Sequence, residues 1–165
     1  MITQQQAREF FDYDPLTGVV TRKKAYGPHR RFLPGAAVGT KFKVKNGGCY
    51  LICHACGKPV LIHRLIWVWM MGEMPTEIDH KNGDGCDNRW QNLRPAMHAQ
   101  NSFNRTRPHA KNTSGYRGVA KAGKRWRAFI RVNRVQKFLG YFDTSAEASA
   151  AFNVAAREVY GEFAP

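Results

Sequence analysis

The residues best equipped for chemistry in this 165-residue chain lie between Ile78 and Asn101. Ile78-Asp79-His80-Lys81-Asn82-Gly83-Asp84 is followed by Asp87-Asn88-Arg89-Trp90-Gln91-Asn92-Leu93-Arg94, then by Gln100-Asn101. The stretch gathers a carboxylate, an imidazole and several carboxamides. Such a set can hold one hard metal ion and activate one water, which is what phosphodiester cleavage requires. Asp79 and His80 are adjacent, Asn92 lies thirteen residues after Asp79, and Asn101 lies twenty-two after it. A calcium loop is the rival reading of Asp79, Asn82 and Asp84. It lacks the Glu such a loop needs at its last position, where this chain has Trp90.

The charge map points to a polyanionic partner. The formal net charge is +14, and residues 15–72 hold ten Lys/Arg and no acid. Residues 101–142 hold eleven Lys/Arg, again with no acid. Between these tracts sit Glu73, Glu77, Asp79, Asp84 and Asp87. An acidic island between basic arms suits a metal site on a phosphate-binding surface. A hydrophobic content of 43% excludes wholesale disorder. The polar start is not a signal peptide, and the apolar run 60–71 is broken by His63 and Arg64 and too short for a bilayer. A soluble, cytoplasmic, non-secreted protein with no membrane partner is expected.

Cys49, Cys53 and Cys56 cluster in sequence, and Cys86 lies beside the acidic island. An intracellular compartment argues against disulfides. Cys53-His54-Ala55-Cys56 has half the spacing of a zinc knuckle, but no second half follows. Cysteines in strands more often act as small core hydrophobes, so structural zinc is not expected.

The elements that must position these groups follow from periodicity. Residues 3–11 predict a helix capped by Thr3, with Ala7, Phe10 and Phe11 on its apolar side. A turn over 13–18 leads to a strand at 19–21, and residues 22–48 read as basic loops with short strands. Residues 50–62 form a hairpin turning at Gly57-Lys58. A helix over 63–71 follows, with Ile62, Leu65, Ile66, Trp69 and Met70 on one face, ended by Met74-Pro75. Strands at 77–80 and 90–94 flank the Gly-rich loop, and a short helix over 97–103 comes next. Adjacent strand residues point to opposite faces. Asp79 and His80 can therefore share a site only if the strand bends there or the metal sits at its end.

After a basic stretch without periodicity, three strands are expected at 115–120, 124–132 and 135–142. Thr144 and Glu147 form a capping box that opens an Ala-rich helix over 145–160, ended by Gly161. Alternation puts Trp126, Ala128, Ile130 and Val132 on one sheet face, toward Ala148, Ala151, Phe152, Ala155 and Val159 of the helix. Arg125, Arg127, Phe129 and Arg131 take the other face, where Lys137 of the next strand is expected to join them.

Across roughly residues 10–105 the chain resembles the HNH endonucleases, which have the ββα-metal fold. The resemblance is carried by Ile78-Asp79-His80-Lys81-Asn82-Gly83-Asp84, Asp87-Asn88, Asn92-Leu93-Arg94 and Gln100-Asn101. Upstream, Leu61-Ile62-His63-Arg64-Leu65-Ile66-Trp67 resembles an element that often precedes this core in phage and intron-encoded members. The resemblance implies that Asp79 and Asn101 hold a divalent metal ion, Mg²⁺ first and Mn²⁺ as the alternative. It implies that His80 is the general base and that Asn92 fixes the loop. His63 and Arg64 become either phosphate contacts or structural residues. The last position is Asn101 rather than His, which makes an oxygen-liganded variant and disfavours zinc or nickel there.

Residues 113–163 resemble the AP2/ERF DNA-binding domain. The matching segments are Gly115-Tyr116-Arg117-Gly118-Val119, Lys124 through Arg131 around Trp126, Leu139 through Thr144, and Glu147-Ala148 with Ala150-Ala151-Phe152. That family binds DNA through its sheet. Arg117 and Arg131 fall on matching positions, Lys121, Arg125, Arg127 and Lys137 are added from strand alternation, and Lys124, which opens the matching segment, is a further DNA-binding candidate.

The expected fold is α+β. A ββα-metal nuclease domain spans 1–105, with its core at 60–105 and a basic strand-and-loop region at 1–59. A basic linker spans 106–112, and a three-stranded antiparallel sheet packed on one helix spans 113–165. The expected function is a metal-dependent endonuclease of phage or homing type acting on double-stranded DNA, with site preference from the second domain. The rival readings are a non-catalytic DNA-binding regulator with a decayed nuclease core, and a nuclease subunit of a phage packaging machine. A homodimer or a packaging protein would be the further partner.

Overall fold

The computed structural model describes residues 2–24, 33–44, 48–104 and 112–164, except for the side chains of residues 99, 102 and 103. The described chain forms two compact units, Met1–His98 and Ala99–Pro165. Most of the expected linker at 106–112 lies outside the described residues.

The first unit opens with α1 (Gln4–Phe10). Thr3 caps it through a reciprocal pair of hydrogen bonds with Gln6, satisfying two orphan backbone donors. Phe11 starts a strand rather than ending the helix: β1 (Phe11–Tyr13) pairs antiparallel with β2 (Val20–Arg22). β3 (Thr40–Lys43), β4 (Cys49–Ala55) and β5 (Lys58–Leu61) form an antiparallel sheet with β4 in the centre.

α2 (Ile62–Met71) carries most of the core. Ile62, Leu65 and Ile66 are almost completely buried, and each such side chain contributes roughly 1.5–3 kcal/mol over an exposed one. The buried face also takes in His63, Trp67 and Val68, whereas Trp69 and Met70 are only half-buried. The apolar stripe is thus rotated from the expected one, because the helix packs on α1 and on the β4–β5 hairpin together. The helix ends at Gly72, whose left-handed φ of 82° lets its N–H reach Val68 O before Pro75 is met.

β6 (Glu77–His80) then pairs antiparallel with β7 (Leu93–Ala96), placing Asp79 opposite Arg94 and His80 opposite Leu93. The second strand begins later than expected because residues 90–92 form a 3₁₀ turn. α3 (His98–Phe103) crosses the boundary between the units.

In the second unit β8 (Val119–Ala122), β9 (Arg125–Val132) and β10 (Val135–Phe142) form an antiparallel sheet with β9 in the centre. It packs against α4 (Ser145–Tyr160). Both bonds of the Thr144–Glu147 capping box are made. The core is Val119, Ala128 and Ile130 from the sheet, with Ala148, Phe152 and Ala156 from the helix. Val159 is exposed instead, and Ala156 takes the expected inward place. Gly118 makes the packing possible: a Cβ there would lie 2.2 Å from the Phe152 ring and 2.5 Å from Phe129 O.

Candidate active site and nucleic-acid interface

His80 is the last residue of β6 and is 5% exposed. Its Nε2 lies 3.2 Å from Asn88 Oδ1. Asn88 is itself buried, and its Nδ2 donates to Cys86 O at 3.3 Å. The amide nitrogen is thereby turned away, so the oxygen accepts from the ring. Nε2 then carries the ring proton and Nδ1 carries the lone pair. The rings of His63 and Tyr50 pack around it, with centroids 5.1 and 5.9 Å from that of His80. Burial lowers the His80 pKa, outweighing the Asn88 bond and the charges of Asp79, Asp84 and Asp87, which raise it. A neutral imidazole is the form a general base needs.

Asp79 is 4% exposed, and its Oδ2 accepts from Arg94 Nε at 2.7 Å. The pair faces across the β6–β7 ladder. A buried carboxylate requires such a partner, and carboxylates that ligate metals are commonly oriented this way by a neighbour. The donor set therefore suits a hard cation that takes one carboxylate oxygen and fills its shell with water and phosphate oxygens. Asn101, half-buried on α3, belongs to the second unit.

Asn92 clamps the loop between the two strands. Its Oδ1 accepts from Asn82 N at 3.0 Å, while its Nδ2 donates to Asn82 Oδ1 at 3.0 Å and to Asp87 O at 2.7 Å. Three of the other acids in the island make local contacts. Asp84 accepts from Cys86 N at 2.9 Å, and Glu77 pairs with His98 at 2.6 Å. Asp87 binds Arg89, whose hydrogen bonds pull its pKa down to about 2.

His63 is 6% exposed, and its Nδ1 has no hydrogen-bond partner among the described residues. Burial first, then the charges of His80 and Arg64, push its pKa down to about 3. It forms part of the wall around His80, whereas Arg64 is exposed on the outer side of α2.

The register of the C-terminal sheet revises the expected basic face. Directly opposed residues share a face. Arg127 opposes Tyr141, Phe129 opposes Phe138, and Arg131 opposes Gln136. Lys137 opposes Ile130, and Lys121 opposes Trp126. Both lysines therefore leave the sheet on the helix side, not with the arginines. Lys121 Nζ lies 6.0 Å from the Trp126 ring. The hairpin register places the exposed Phe138 on the arginine face, and a bulge between Phe138 and Gly140 turns Leu139 into the core and brings the exposed Tyr141 to the same face, ring centroids 5.0 Å apart. Arg125 bonds Asp143 Oδ1 and Tyr141 O at 3.0 and 3.1 Å. Lys124 is exposed in the β8–β9 turn, and Arg117 is half-buried before β8.

Residues 60–103 match the HNH endonuclease family model. The match runs from the end of β5 through α3 and takes in Asp79, His80, Asn92 and Asn101. A relative from Acanthamoeba polyphaga mimivirus, known as an uncharacterized HNH endonuclease, is 30% identical over 119 residues. The alignment covers 70% of this chain and 60% of the relative, so the chain spans less than two thirds of that protein's length. The chain is also similar to the HNH homing endonuclease I-HmuI, in a structure of its DNA binding and cleavage, at 17% identity and a TM-score of 0.41. That similarity covers 92% of this chain and 85% of the other.

Sequence reasoning did not assign roles to Asn88, Arg94 or Tyr50. Asn88 and Arg94 sat inside the HNH segment, so their presence was visible but their contacts were not. Tyr50 had no signal, because only the packing of β4 brings its ring to the two histidines.

Proposed function

We propose that this protein is an HNH-type, divalent-metal-dependent DNA endonuclease of homing or phage type that hydrolyses phosphodiester bonds. The observation that carries the reading is His80, buried and neutral, held through Nε2 by Asn88 beside the Asp79–Arg94 pair. His80 Nδ1 takes a proton from the attacking water. Asn88 keeps the ring in the tautomer that leaves Nδ1 basic, and Asn92 keeps the Asn88 loop in place. Asp79 would be the first metal ligand, and the resemblance to the HNH endonucleases implies Asn101 as the second. Mg²⁺, or Mn²⁺, would neutralise charge at the scissile phosphate and the leaving oxygen.

The second unit is an AP2-like DNA-binding module that confers site preference. Arg127 and Arg131 reach phosphates or guanine edges, and Phe129, Phe138 and Tyr141 supply flat contacts beside them. Arg117 and Lys124 extend the cationic surface. The test uses supercoiled plasmid and Mg²⁺. The wild-type protein converts it to open-circle or linear product, whereas His80→Ala binds DNA but leaves the plasmid supercoiled. Wild-type cleavage by His80→Ala would refute the assignment.

A further inference from the structure

Three potential metal-ligating side chains meet away from Asp79. The sulfurs of Cys49 and Cys86 and a carboxylate oxygen of Asp84 all lie within 4.8 Å of one another. They come from two parts of the first unit: Cys49 opens β4, while Asp84 and Cys86 lie in the loop after β6. Gly85 brings them together. A Cβ there would lie 2.4 Å from Cys49 O and 2.6 Å from the Tyr50 ring, so only glycine lets the loop press this closely on the strand.

We propose that Cys49, Cys86 and Asp84 form a binding site for one thiophilic divalent cation, Zn²⁺ in chemical class, with water as the fourth ligand. The spacing fits a tetrahedral ion. Zn–S bonds of about 2.3 Å place two sulfurs roughly 3.8 Å apart, within the 4.8 Å limit of the cluster. Two thiolates select zinc over magnesium, which prefers oxygen. Binding releases the two thiol protons to solvent and leaves the oxidation states unchanged. The ion ties β4 to the loop that carries Asn88, and thereby supports the residue that holds His80. Cys53 and Cys56 play no part: Cys53 is buried in β4 and Cys56 is exposed in the following turn.

The test uses the full reduced chain without DNA, so it is independent of nuclease activity. Titration with Co²⁺ should give thiolate-to-cobalt charge-transfer absorption that saturates at one ion per chain and is displaced by Zn²⁺. Cys49→Ser/Cys86→Ser should lose the band and more than about 100-fold of the Zn²⁺ affinity, beyond what changes outside the ligand shell cause. Cys53→Ser/Cys56→Ser should keep both. Peptide mapping of the unmutated protein gives a readout that does not depend on folding of the variants: Zn²⁺ should shield Cys49 and Cys86 from a thiol reagent. Absence of the band in wild type, its survival in Cys49→Ser/Cys86→Ser, or Zn²⁺ shielding of Cys53 and Cys56 instead would overturn the site.

Discussion

Asn88 holds His80 by the end of its amide that can only accept: Oδ1 faces the ring Nε2 at 3.2 Å because Nδ2 is committed to Cys86 O. Asn88→Ala should therefore lower kcat for cleavage by about 10–100-fold, the usual cost of removing a group that orients a catalytic side chain. KM should change little. Nitrogen-detected NMR of His80 should show the Nε2–H tautomer in the wild type and a mixture in the variant. An unchanged tautomer together with lost activity would mean that Asn88 acts in another way.

Arg94 neutralises a carboxylate that has almost no access to water. Arg94→Met leaves Asp79 buried without its partner and should cost about 3–5 kcal/mol of stability. Asp79→Asn/Arg94→Met should recover much of that, since no charge is then stranded. Urea denaturation of the three proteins measures the difference. Equal losses in the single and double variants would show that Arg94 acts through packing.

His63 makes stability depend on pH. Its folded-state pKa is about 3, against roughly 6.5 in an unfolded chain. Below pH of about 6.5 the unfolded state binds the extra proton, so this contribution is complete above that pH and declines toward pH of about 3. The limiting slope is about 1.4 kcal/mol per pH unit. The charges that bear on it are His80 and Arg64, with the Tyr50 ring packed alongside. His63→Phe should lose stability less steeply than wild type as pH falls from about 6 to about 4. Parallel curves in denaturant titrations would contradict this.

The sheet register separates the cations of the second unit into two groups. Arg127→Ala and Arg131→Ala should weaken DNA binding and each reduce the salt slope by roughly 0.9. Phe138→Ala/Tyr141→Ala should weaken binding without changing that slope. Lys121→Ala and Lys137→Ala, on the helix side, should have small effects. Fluorescence anisotropy across a salt series distinguishes these outcomes, and a large Lys137→Ala effect would place DNA on the other face.

Local rules were legible in the sequence wherever the deciding atoms are close along the chain. Thr3 and Thr144 announced their helices because a capping box spans only four residues. The alternation of Trp126, Ala128, Ile130 and Val132 predicted their side of β9 because a strand has a period of two. The grouping of Asp79, His80 and Asn92 was visible for the same reason: one loop and two short strands connect them.

What the sequence could not show depended on register and on contacts between distant segments. The pairing of Val132 with Val135 across the hairpin turn sends Lys137 to the side of Ile130, and the bulge at Leu139 brings Tyr141 to the arginines. The Asp79–Arg94 pair follows from how β6 and β7 align, and the ring of Tyr50 reaches His80 only through the packing of β4. Cys49 had its nearest sequence neighbours in Cys53 and Cys56. Tertiary structure joins it to Cys86 instead, because Gly85 lacks the carbon that would keep loop and strand apart. Residue types and spacing determined which chemistry this protein carries. Strand register and close packing decided which side chains hold it in place.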